Sequence, residues 1–190
     1  MHNDDRAPVK RRPVSTQKRT IGLLLFASLV LAAGFFPAQA LQVERPRDGR
    51  VLWISAVEPG DRFFLMYRHS VELCRVWDHF RIDGDYRIIL FETVFGSSNT
   101  GLPSVLGPGE RFTRGKTSSR ISGMQRVLPA IEIWVKGSYE NTLGFGNGQI
   151  LLSQLAGDAL LRLRIRKVTC FELAFHETFL FFNHMSEEMR

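Results

Sequence analysis

Tyr67, His69, Ser70 and Glu72 crowd a hydroxyl, an imidazole, a phenol and a carboxylate into one short stretch of an otherwise apolar run. His69 beside Ser70 invites comparison with a hydrolase. On a strand, however, neighbouring side chains point to opposite faces, so His69 cannot deprotonate Ser70 there. No G-x-S-x-G elbow occurs elsewhere, which leaves Ser97 or Ser98 as serine candidates only if the fold brings them to a base. Metal binding is the alternative chemistry. His69, Glu72, Asp78 and His79 offer imidazole and carboxylate ligands suited to zinc, with His69, Glu72 and His79 as the alternative ligand set. Their spacing matches no specific metal motif, and no cofactor is expected. The plainer reading is architectural: Tyr67 and His69 hydrogen-bond at a strand end, and Glu72 serves the turn.

A second polar stretch can frame that cluster. From Gly96 to Ser119 the chain reads GSSNTGLPSVLGPGERFTRGKTSS, with five glycines and two prolines. A loop this long in a compact domain is uncommon and is usually functional or disordered. Asn99 and Gly101 therefore join Tyr67, His69, Ser70 and Glu72 as candidate binding residues. The lysine and following helix of a phosphate-binding P-loop are missing.

Positioning falls to strands. Arg50–Val57 reads as one, and Glu58-Pro59-Gly60-Asp61 as a turn. In the next run Phe63, Leu65, Tyr67, His69 and Val71 share a face. Val76–Asp83 and Tyr86–Phe95 flank Asp83-Gly84-Asp85 and make a hairpin. Arg120–Leu128 is ambiguous, Ala130–Val135 is a strand, and Tyr139–Phe145 pairs with Gln149–Leu152 across Asn147-Gly148. Leu160–Val168 alternates Leu161, Leu163 and Ile165 against Arg162, Arg164 and Arg166. The arginine row can meet an acidic surface, but one solvated face explains it more simply. Residues 41–49 read as a polar lead-in. The expected fold is all-β: an antiparallel sandwich or partly open barrel of about eight strands.

The formal charge of +6 is unevenly placed. Residues 1–40 hold six basic residues against Asp4 and Asp5, leaving only +2 on residues 41–190, so a nucleic-acid partner is not expected. Those forty residues have the layout of a secretory signal: a basic segment, the uncharged run Ile21–Phe36, then Pro37 and Ala38-Gln39-Ala40, with cleavage expected after Ala40. An uncleaved anchor is the rival. Sixteen residues at about 1.5 Å each reach about 24 Å, short of a bilayer core of roughly 30 Å. The division expected is thus 1–40 signal segment, 41–170 exported domain and 171–190 apolar tail, with the periplasm, free or inner-membrane-anchored, as the compartment. Cys74 and Cys170 are the two cysteines. Joined, they would close a long loop worth about 4 kcal/mol; free buried thiols fit equally well. The aromatic tail Phe171–Phe182 is too short to span a bilayer, and either packs on the domain or meets a partner or the membrane surface.

The segment Phe63–Arg81 with its Tyr67-x-His69-Ser70-Val71-Glu72 core, the Gly101-Leu102-Pro103 loop, and Ile121–Leu128 before Pro129 resemble a family of small exported bacterial domains of unknown function. The likeness runs from about Val51 to Val168. Genes of that family commonly lie beside the membrane subunits of tripartite ATP-independent periplasmic (TRAP) transporters of the type with TAXI solute-binding proteins. The resemblance implies a compartment and a neighbourhood, with no activity to carry over. Two functions are therefore expected to compete. One is a non-enzymatic accessory or binding module meeting a transporter membrane subunit or solute-binding protein. The other is a metal-dependent or hydrolytic periplasmic enzyme centred on His69 and Glu72.

Overall fold

The structure is a computed structural model and describes residues 20–26, 28, 34–69, 74–96 and 106–175. Two compact units divide the chain, Met1–Phe36 and Pro37–Arg190. In the first, residues 20–26 are helical, with Leu23, Leu24, Leu25 and Phe26 exposed. Among the described residues no helix is long and apolar enough to cross a membrane.

Among the described residues the second unit carries eleven strands in two antiparallel sheets that pack as a sandwich. The small sheet orders β2 (Arg50–Ala56), β1 (Pro37–Arg45), β11 (Ala159–Thr169) and β8 (Ile131–Val135). The large sheet orders β10 (Gly148–Leu151), β9 (Thr142–Phe145), β3 (Arg62–Arg68), β4 (Arg75–Ile82), β5 (Ile88–Phe95), β7 (Ser119–Leu128) and β6 (Arg111–Arg114). This is the sandwich form of the expected fold, not a closed barrel, and it has three strands beyond the eight expected. β6 lies inside the glycine-rich stretch, and β7 resolves the ambiguous segment.

The largest departure is β1. Residues 41–45 are not a lead-in but half of an inner strand, and Ala38-Gln39-Ala40 belongs to the same strand. Pro37 to Glu44 pair with Thr169 to Arg162, and β2 flanks the other side. Leu41 and Val43 point inward while Gln42 and Glu44 point out, an alternation too short and too polar to stand out beside Pro46 and Gly49. The boundary expected at Ala40 therefore falls within a strand, and Ala40 itself is fully buried.

The core forms where the two apolar faces meet. Leu41, Val43, Leu161, Leu163 and Val135 of the small sheet pack on Phe63, Leu65, Phe80, Ile82, Ile88 and Leu143 of the large one. Phe63 and Phe80 stack across the β3–β4 ladder with centroids 4.8 Å apart. Trp53 of β2 meets Phe145 of β9 edge-on at 5.7 Å, an aromatic contact between the sheets. A smaller cluster on the outer side of the small sheet joins Ala40, Ile54 and Val168, and Leu173 of the helical residues 170–175 packs against it. That contact puts the start of the aromatic tail on its own domain. Residues 176–182 of the tail lie outside the described residues.

The outer face of the small sheet is not the freely solvated arginine row that alternation suggests. Glu44 is only 3% exposed. Arg164 reaches its carboxylate at 2.6 Å and Arg162 at 3.4 Å, while Arg162 also meets Glu132 at 2.7 Å. Three strands, β1, β11 and β8, are thus tied by one charge network. Cys74 and Cys170 are free thiols, at the entrance to β4 and just past β11, so the bond between them considered above is not formed.

Opposite Leu90–Glu92, the register of β5 on β7 shifts, and Gly123 takes φ +77° in the bulge. A Cβ at Gly123 would meet the carbonyl oxygen of Gly109 in the turn before β6. Positive φ and a backbone neighbour together require glycine there. Gly123→Ala should therefore lower unfolding free energy by about 1–3 kcal/mol in urea titrations. Glu44→Ala should cost about 1–3 kcal/mol, because it leaves two arginines facing each other without their shared anion. Its penalty should shrink in high salt, which screens that repulsion.

Candidate functional site

Inward positions of β4 read Val76, Asp78, Phe80, Ile82: one carboxylate among apolar side chains. The β3–β4 register sets Leu65 opposite Asp78, and the β4–β5 register sets Thr93 opposite it on the other side. Tyr67, two residues on from Leu65, is the diagonal neighbour on the same face, within reach for a long side chain. The three groups converge. Tyr67 Oη donates to Asp78 Oδ2 at 3.2 Å, and Thr93 Oγ1 donates to Asp78 Oδ1 at 2.7 Å. Thr93 Oγ1 also lies 3.9 Å from Met124 Sδ of β7.

This network opens into a cavity of about 300 Å³ along β8, the edge strand of the small sheet. Leu65, Tyr67, His69 and Asp78 line one side. Ile131, Ile133 and Trp134 of β8 line the other, with Tyr139 and Asn141 closing the end. Asn141 is buried and holds this end in shape: its Oδ1 accepts the Lys136 backbone N–H at 3.3 Å, and its carbonyl accepts that of Leu152 at 2.8 Å. Lys136 Nζ lies 5.7 Å from the Tyr139 ring centroid, so that ring already faces one cation. Trp134 is two-thirds exposed at the cavity rim.

Burial dominates the electrostatics. It raises the Asp78 carboxyl above its usual value, against the two hydroxyl hydrogen bonds and the more distant His79 and Arg126, which favour the charged form. Tyr67 is pushed well above the ordinary phenol range, first by burial and then by the adjacent Asp78. It therefore stays protonated and acts as a hydrogen-bond donor, not as a base.

Of the residues expected at a site, Tyr67 and His69 come together at this cavity. The His69 backbone N–H donates to the Cys74 carbonyl at 2.8 Å, extending the β3–β4 pairing beyond Arg68 and Arg75. Ser70, Glu72, Asn99 and Gly101 lie outside the described residues. His79 is placed elsewhere. It pairs with Phe64 in register, so its ring lies on the opposite sheet face between Phe64 and Phe91, at 6.0 and 6.2 Å. Strand parity thus separates His69 from His79, and the two imidazoles of the alternative metal set do not converge. Among the described residues no three histidine, cysteine or carboxylate side chains group as metal ligands.

Asp78, offered by the sequence only as a possible metal ligand, joins the site here, and Thr93, Trp134, Tyr139 and Asn141 complete it beyond the sequence candidates. Asp78 carried a readable signal, because it is the one charge on the apolar face of its strand. Trp134 and Asn141 carried none, since only the packing of the two sheets brings β8 beside β3.

Residues 63–152 match the model of a family described as a domain of unknown function, DUF1850. The match takes in every strand of the large sheet and β8, and with them every described residue of the cavity; β1, β2 and β11 fall outside it. No curated protein and no solved structure matches the chain.

A carboxyl whose folded pKa is raised opposes folding when ionised, and that penalty is lifted as pH falls through the raised value toward the ordinary 3.8. Asp78→Asn keeps the shape and both hydroxyl partners while removing the charge. Urea unfolding from pH 7 to pH 4 should therefore show the variant more stable than the parent at pH 7, with the difference shrinking toward pH 4.

Proposed function

We propose that this chain is an exported binding module that holds a small solute in the cavity between β8 and the Tyr67–Asp78–Thr93 face, and that it works as an accessory to a TRAP-type transporter. The observation carrying the reading is the buried hydrogen-bond network opening into a cavity of about 300 Å³, at the small end of the range for ligand pockets. A few convergent polar groups among apolar and aromatic walls suit recognition of one solute group. They do not suit the covalent work of a hydrolase. Tyr67 holds its proton too firmly to act as a base, and among the described residues Thr93 has a carboxylate and no imidazole in hydrogen-bonding contact.

The leader of residues 1–40 supports delivery across a membrane, and the His69-Ser70-Val71-Glu72 resemblance supports the transporter setting. The periplasm is the compartment in which such a module meets a membrane subunit or its solute-binding protein. Crosslinking in intact cells followed by purification of this chain tests the association. The transporter membrane subunit or the solute-binding protein should be recovered with it. Recovery of the chain alone, in cells that express the transporter, would rule the accessory role out.

A further inference from the structure

Carboxylates of the sandwich that lose much of their water are matched with arginine. Glu44 has Arg162 and Arg164, Glu92 has Arg120, and Glu110 has Arg126 together with the Gly107 backbone N–H. Asp78 is different. Its two oxygens accept from neutral hydroxyls, and among the described residues it has no ion pair. Hydroxyls satisfy hydrogen-bonding geometry but supply no countercharge, so a half-buried carboxylate held only by them has an unbalanced negative charge.

The surroundings say what would balance it. The cavity has two carboxylate residues on its lining, Asp78 inside and Glu132 at β8, and Glu132 is already paired with Arg162. An anion would meet the unbalanced charge of Asp78. Arg68 and His69 are the basic residues on the lining, but Arg68 occupies the alternate position on β3 from Tyr67 and is exposed. The ring of Tyr67 is hydrogen-bonded in place beside Asp78, and Ile131 and Ile133, inward-facing residues of β8, stand across the cavity. Aromatic faces beside a carboxylate attract a cation that carries alkyl groups, because the ring quadrupole and the apolar surface act on different parts of the same ligand. A hydrated metal ion would gain less, having no apolar surface to bury and only one unpaired carboxylate to coordinate.

We infer that the cavity takes a small organic cation of the alkylammonium class, its charge against Asp78 and its alkyl groups against Tyr67 and Ile133. The inference rests on the cavity being a binding site, and it goes further by assigning the chemistry of the ligand.

The test uses the full chain in detergent with two probes, tetramethylammonium and n-butylammonium chloride, and with sodium acetate and glycerol as anionic and neutral comparisons. Saturation-transfer NMR and calorimetry report binding, and circular dichroism reports folding. At least one ammonium probe should bind saturably, with a dissociation constant on the order of millimolar for ligands of so few atoms. Asp78→Asn should weaken it tenfold or more. Ile133→Ala, a change at a half-buried position of the edge strand, should weaken it severalfold with the spectrum unchanged, and serves if Asp78→Asn fails to fold.

Absence of binding by both ammonium probes to folded protein overturns the inference. So does binding that Asp78→Asn leaves unaltered. Acetate or glycerol bound in place of the cations, and weakened by Ile133→Ala, would also overturn it while leaving a binding cavity intact. The crosslinking result stands apart from all of these, so the ligand class and the transporter role fail separately.

Discussion

The β1–β11 ladder is the constraint on which the rest depends. It joins residues 37–44 to residues 162–169, close to opposite ends of the domain. Without it β2 would have no partner and β8 would have only β11, so the small sheet would not exist. The apolar face of the large sheet, with Phe63, Leu65, Phe80 and Ile82, would then have nothing to pack on. A ladder between such distant segments carries a large loop-closure cost, which local turns cannot meet. Burial of Leu41, Val43, Leu161 and Leu163 on one face supplies the offset, and the Glu44–Arg162–Arg164 network orders the other face.

That constraint also builds the cavity. β8 holds its place only because it pairs with β11 from Leu163 back to Ala159. Ile133 and Ile131 lie opposite Leu161 and Leu163 in that pairing, which turns them inward toward the β3–β4–β5 face. The small sheet has four strands against seven and so cannot cover the whole inner face of the large one. The uncovered inner positions at Tyr67, Asp78 and Thr93 are polar and held in mutual hydrogen bonds. A core position that is not sealed can carry a carboxylate at bearable cost, and Asp78 occupies such a position.

The family match makes a parallel division. It covers the large sheet and β8 and stops short of the strands that complete the small sheet. The cavity lies inside the matched region, whereas the ladder that positions β8 lies partly outside. The polar residues at the site and the scaffold that places them therefore come from different parts of the chain.

Local physics made much of this legible in the sequence. Asp83-Gly84-Asp85 marked the β4–β5 hairpin, the Leu161–Ile165 alternation marked β11, and Tyr67 with His69 marked the polar end of β3. Those signals survive because a turn or a period of two is written in neighbouring residues. Reading Arg162 and Arg164 as solvated failed for the opposite reason, since their acidic partner is Glu44, 118 and 120 residues away. β1 was hidden because five residues of weak alternation gain strand character only from the partners on each side. The sequence by itself determined which residues turn, which alternate and which can hydrogen-bond. Tertiary structure alone decided that His69 and His79 face apart, that Asp78 meets two hydroxyls and no arginine, and that β8 borders a cavity beside it. Register and sheet packing set those relations, and both depend on contacts between segments that no local pattern encodes.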